Sequence, residues 1–215
     1  MDFSVEDLPR AFGSDLLEAE WEIPFCKSLK DVEGHKSSSL PSLEKYTLQE
    51  EFADVYMGVS KTEFFAIFDV QSPLEKTLYP EFKKGDAIEL IIDTNPSKIQ
   101  SVTTRFVHHF VFLPLPYEGI FAKEITRFRG NETRSLVNDE ELRSSVHQTR
   151  NHYKISITIS LNLLYGMSGS LEKKKALGIG YRVHRFKGEV QEFPHNGQSM
   201  HFDVHPNLLA TGLLT

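Results

Sequence analysis

The sequence predicts an all-β fold: an antiparallel β-sandwich, of jelly-roll or immunoglobulin-like form, with few short helices and one domain over residues 1–215. Three observations predict it. Apolar residues recur with period two along much of the chain, helical stripes are sparse, and the apolar runs are joined by short polar connectors with no linker-length segment between them. The chain has 215 residues, 40% of them hydrophobic and 25% charged, an ordinary globular composition for which one well-buried core is the simpler arrangement.

The elements follow in order. Residues 15–20 suit a single helical turn, Ser37–Ser42 reads as a polar loop, and Leu40–Phe52 carries no sustained helical stripe. Ala53–Val59 and Glu63–Val70 flank Ser60-Lys61-Thr62, a connector of hairpin length, and predict an antiparallel pair. In Gly85–Asp93, Ile88, Leu90 and Ile92 share one face, with Ala87, Glu89, Ile91 and Asp93 on the other, which is expected to be wet. Thr104–Leu113 is apolar on both parities and predicts a strand covered on both sides, ended by Pro114 and Pro116 because proline donates nothing to a ladder. Asn138–Arg143 suits one short helix capped by Asn138 or Asp139. Tyr153–Leu161 alternates strictly and predicts a half-buried strand. Ile179, Tyr181 and Val183 alternate with Gly180, Arg182 and His184, Lys187-Gly188 turns the chain, and Val190 and Phe193 continue. Met200, Phe202 and Val204 begin a further segment, and Leu208–Leu214 is expected to close the sheet.

The order of these motifs resembles the family 9 carbohydrate-binding modules and the wider DOMON-like sandwiches. The resemblance spans most of the chain. It runs through Glu20-Trp21-Glu22, the hairpin from Phe64 to Val70, Lys84-Gly85-Asp86 with its Glu-bearing strand, Phe106–Phe110, Tyr153–Leu164, Ile179–Val183 and His205–Leu209. It implies a non-catalytic domain whose sugar lies on a sheet face between aromatic rings, held by a strand Glu and a basic residue on the neighbouring strand. Residue by residue, the carboxylate matches Glu89, the aromatic before Gly-Asp falls nearest Phe82, and the basic position falls near His109, with Arg182 and His184 on the adjoining strand face. Phe193 or Tyr117 is the candidate second ring. The sequence departs from the family in having Phe82 where sugar binders have Trp, and a histidine where an arginine is expected. Sixteen Phe against one Trp locate the shortage of flat stacking surface at the expected sugar site. For Glu89, a solvated sheet-face carboxylate stands beside the ligand contact.

A protein-interaction domain that has lost sugar binding is one alternative, and the histidines raise another. His108 and His109 are adjacent and project to opposite faces of one strand. His201, Asp203 and His205 share a parity, and with His109 and His184 they would supply imidazole and carboxylate ligands to a transition metal if they converged. Hydrogen-bonded or solvated histidines are the plainer alternative. No cofactor is predicted: the methionines show no local haem signature, and Asp93-Thr94-Asn95 offers too few oxygens for calcium. Gly166–Ser170 superficially resembles a nucleophile elbow, but its second glycine falls one place early, so no enzyme is predicted. The net charge of -6 argues against nucleic acid as a partner. No run approaches the roughly 18 apolar residues of a spanning helix, so no membrane insertion is expected. Cys26 stands alone and reads as a buried thiol. The acidic N-terminus lacks a secretory pattern, so the chain as written reads as cytoplasmic unless a trimmed precursor or another route exports it.

Overall fold

The computed structural model of the chain describes residues 20–42, 50–99, 101–129, 131–167, 175–194 and 203–215. Its elements are β1 (Glu20–Ile23), α1 (Leu29–Gly34), β2 (Ala53–Val59), β3 (Glu63–Val70), β4 (Ala87–Asp93), β5 (Val107–Tyr117), β6 (Ile120–Glu124), β7 (Arg143–Gln148), β8 (Tyr153–Ser160), β9 (Ala176–His184), β10 (Val190–Phe193) and β11 (Ala210–Leu214), with short 3-10 turns between them. They form two sheets. One runs β1-β11-β9-β4-β5-β6, with β10 also paired to β9, and the other runs β2-β3-β8-β7. The pairing is antiparallel apart from β1 beside β11 and a parallel bridge from Phe25 to Val59.

The sheets meet through the alternating apolar faces that the period-two pattern marks. Val55, Met57, Phe64, Phe68, Ile155 and Ile157 come from one side, and Ile88, Leu90, Phe110, Phe112, Ile179 and Tyr181 from the other. Burying each such side chain contributes about 1.5 to 3 kcal/mol. Phe68 meets Tyr181 edge to face with ring centres 5.4 Å apart, across the two sheets. The predicted β2–β3 hairpin forms in the expected register, Val59 opposite Phe64, and the Ser60 hydroxyl accepts the amides of Thr62 (3.2 Å) and Glu63 (3.0 Å) to hold its turn. In the β9–β10 turn, Gly188 has φ 88°, a conformation that favours glycine.

Four sequence expectations change. β4 is buried along both faces and has no wet face, because distant segments cover the side carrying Glu89. β5 starts at Val107 and runs on through Pro114 and Pro116 to Tyr117. The prolines are tolerated because the β4 ladder ends at Phe112 and the register to β6 shifts between Phe112 and Tyr117, so no paired amide is demanded of them. β11 does not close the sheet at an edge; β1 lies outside it. The segment from 138 forms only a 3-10 turn, Asp139–Glu141, before the chain extends into β7.

The sequence pattern also missed α1. Ser28 and Asp31 cap it reciprocally, and Val32 and Leu29 pack with Phe65, Ile67 and Tyr56 on the outer face of β2 and β3. Gly58 lets the helix come close, since a Cβ there would lie 2.9 Å from Val32 Cγ2. The expected turn over 15–19, Ser168–Ser170, Met200, His201 and Phe202 lie outside the described residues.

Candidate functional site

The outer face of the larger sheet assembles a polar network from three adjacent strands. Glu89 on β4 is directly opposite Arg182 on β9, with Ala87 opposite His184 and Ile91 opposite His109 on β5. Alternation therefore puts Glu89, Arg182, His184 and His109 on one face, the two histidines being diagonal neighbours of the carboxylate at its two ends. Each carboxylate oxygen takes one imidazole: His109 Nε2 donates to Oε2 at 2.6 Å, and His184 Nε2 to Oε1 at 2.5 Å. An ionised carboxylate only accepts, so both rings carry a proton on Nε2. His184 Nδ1 is buried and has no hydrogen-bond partner among the described residues.

Arg182 links this pair to two more acids. Its Nε donates to Glu192 on the neighbouring β10 (2.8 Å), Nη2 to Asp203 (3.0 Å), and Nη1 reaches Glu89 Oε2 at 3.5 Å. Asp203 arrives there because the far edge of β9 is shared: β10 pairs with its 181–184 half and β11 with its 176–179 half, and residues 203–209 lead back between them. Burial pushes the Glu89 carboxyl up, yet hydrogen bonds from His109 and His184 and the field of their rings overcome this and hold it well below the usual carboxylate range. Burial likewise raises Asp203, and Arg182 reverses it to a net lowering.

Glu89 is fully buried, which corrects the picture of a solvated sheet-face carboxylate. The cover is the 74–86 segment. Asp86 accepts the amides of Glu75 (2.8 Å) and Lys76 (2.7 Å), and Gly85 permits the close pass, since a Cβ there would lie 2.8 Å from the Lys76 carbonyl oxygen. This pinning seats Phe82 edge-on to the His184 ring, 6.1 Å between centres, with Lys83 Nζ 4.0 Å from Glu89. Over the network opens a cleft of about 450 Å³, lined by Tyr79, Phe82, Lys83, His109, Arg127 and Asp203 among others, a size suited to a small ligand. A hollow of about 570 Å³ beside Lys123 and residues 136–141 has no aromatic ring in its lining.

Of the two candidate second rings, Phe193 lies in the core between Trp21 (5.2 Å) and Tyr181 (5.5 Å), whereas Tyr117 packs with the Phe82 cluster. Residues 203–204 form a turn, not a strand; Asp203 is engaged by Arg182, and His205 Nδ1 lies 3.2 Å from the Ser101 carbonyl oxygen. Among the described residues no three His, Cys, Asp or Glu side chains are arranged to hold a metal ion.

A second buried network was not anticipated. His108 points away from the cleft and stacks on Phe110. The Tyr165 amide donates to its Nε2 at 2.9 Å, and its Nδ1 lies 2.7 Å from Arg134 Nη2 and 3.1 Å from Glu124 Oε1. Glu124 also accepts from Thr126 Oγ1 (2.7 Å), the Val137 amide (2.7 Å) and Arg134, whose Nη1 lies 2.9 Å from Oε2. Burial raises this carboxyl, but His108, Arg134 and Thr126 outweigh it and bring it to about 2. The one local signal for Glu124 is that it shares the parity of the buried Ala122 within β6; nothing local marks Arg134 as its partner.

A family 9 carbohydrate-binding module from Caldicellulosiruptor kristjanssonii in complex with cellotriose superposes with a TM-score of 0.64 at 10% identity, covering 91% of this chain and 93% of that one. The fold is that of the family 9 carbohydrate-binding modules. The glucose complex of a family 9 module from the same organism gives 0.61 at 9% identity, over 92% and 96% of the two chains. The structure of a candidate carbohydrate-binding protein from Bacteroides uniformis superposes with a TM-score of 0.59 at 11% identity, over 92% and 99% of the two chains. No sequence-family model matches the chain, and no curated protein matches it at a significant level. No described helix is long and apolar enough to cross a membrane.

Proposed function

We propose that this chain is a non-catalytic binding domain that recognises a glycan in the cleft over Glu89. The observation that carries the reading is the pairing of a fully buried, ionised carboxylate with two imidazoles and a guanidinium directly beneath a cleft that Tyr79 lines. Such an array is pre-organised: the polar groups that meet hydroxyls are oriented before the ligand arrives, and little ordering cost remains at binding. His109 and Asp203, which line the cleft, are the direct contacts, and Glu89 serves by fixing the His109 ring. The fold shared with modules crystallised with glucose and cellotriose supports the same reading.

Calorimetric titration with glucose and cello-oligosaccharides tests it. Saturable binding is expected, weakened by about 1 to 3 kcal/mol in His109→Ala, with the oligosaccharide left uncleaved. Absence of binding to any sugar across a glycan array refutes it. One observation favours a second reading, a protein-docking face: Phe82 is itself mostly buried against His184 and does not stand as a free wall. A sugar-silent array together with a partner whose binding is lost on substituting Tyr79 or Lys83 would select that reading.

A further inference from the structure

The chain is acidic overall, with a net charge of -6, yet the cleft over Glu89 reverses that balance at its rim. Lys83, Lys84 and Arg127 line it together with His109. The acids lining it are Glu81 and Asp203, and Asp203 is committed to Arg182 at 3.0 Å. The side chains of Lys84 and Arg127 are exposed and make no ion pair or hydrogen bond among the described residues, so their ammonium and guanidinium donors are available to a ligand. A guanidinium presents a planar fork suited to two oxygens of one anionic group, and a flanking ammonium adds a point charge. The half-buried Tyr79 supplies apolar ring surface beside these cations, which matches a ligand that has both a ring face and a negative substituent.

We infer that the cleft selects negatively charged pyranosides, sugars bearing a carboxylate or a sulfate ester, over neutral ones, with Arg127 and Lys84 as the residues that read the charge. The inference rests on the sugar-binding reading and narrows it to a substrate class. The burial of Glu89 is consistent with this: its two oxygens face His109 and His184, so its negative charge is screened from the cleft by protein donors.

Titration with glucuronic acid, glucose 6-sulfate and glucose, at low and high salt, separates the outcomes. The charged sugars are expected to bind about tenfold tighter than glucose, with an advantage that shrinks as salt rises. The two charged probes distinguish a carboxylate from a sulfate reader. In the double variant Arg127→Gln/Lys84→Gln the charged sugars are expected to lose that advantage, while an unchanged unfolding midpoint confirms that two exposed substitutions left the fold intact. Glucose binding as tightly as either anion overturns the charge selection and leaves sugar binding standing. An advantage retained in the double variant overturns the assignment to these residues. If none of the three binds and the wider glycan array is silent, the sugar-binding reading itself fails.

Discussion

Replacing Glu124 by Gln keeps the shape of the side chain and removes its charge from a site where Arg134, His108, Thr126 and the Val137 amide all converge. The folded carboxyl sits at about 2 against an ordinary 4.5, so its ionisation stabilises the fold by about 3 kcal/mol, each pH unit being worth about 1.4. The depressed value sets the sign: this stability is fully present above about pH 4.5 and is lost as pH falls towards 2. The cost of stranding a buried charge, about 3 to 5 kcal/mol, gives a similar figure for Arg134 left facing an amide. Urea unfolding of the native chain and Glu124→Gln, followed from pH 7 to pH 2.5, therefore shows a gap of about 3 kcal/mol at neutral pH that narrows steadily below pH 4.5. Other titrating carboxylates affect both proteins, and their shared contribution cancels in the difference. A neutral-pH gap under about 1 kcal/mol, or one that stays constant down to pH 2.5, refutes the assignment of Glu124 as the charged centre of this network.

Glu89→Ala leaves Arg182, His109 and His184 without their shared carboxylate and is expected to lower unfolding free energy by about 3 kcal/mol at pH 7, read by urea denaturation. Gly58→Ala places a Cβ 2.9 Å from Val32 Cγ2 and 3.1 Å from Cys26 Sγ; a loss of about 1 to 3 kcal/mol is expected, with thermal melting as the check. Tyr153→Phe removes a fully buried hydroxyl that has no hydrogen-bond partner among the described residues, so stability is expected to be unchanged or raised, and a loss above about 1 kcal/mol would reveal a partner for that oxygen.

Much of the fold was legible because side-chain parity is a local property. The β2–β3 hairpin, the strict alternation of β8 and the turn at Gly188 all follow from a few consecutive residues. β1 and β7 were not legible. β1 is short, and β7, Arg143–Gln148, is polar and largely exposed, so neither carries an apolar stripe; each exists because a neighbouring strand offers an unpaired edge. α1 was hidden for a related reason, since its six residues bury little besides Val32 and it is held by contacts with β2 and β3.

For the site, the sequence by itself determined which residues share a face within each strand, Arg182 with His184 and His108 opposite to His109, and the strand pairing then brought Glu89, Arg182, His184 and His109 to one face. The sequence also determined the scarcity of broad aromatic rings, and the tertiary structure places the single Trp21 against Phe193, away from the cleft. Only the tertiary structure decided that Glu89 is covered and not solvated. That cover comes from the 74–86 segment, and Arg182 gains Asp203 from a stretch more than twenty positions along the chain. Burial and charge pairing depend on which distant segments lie over a face, and a strand's own alternation carries no record of that.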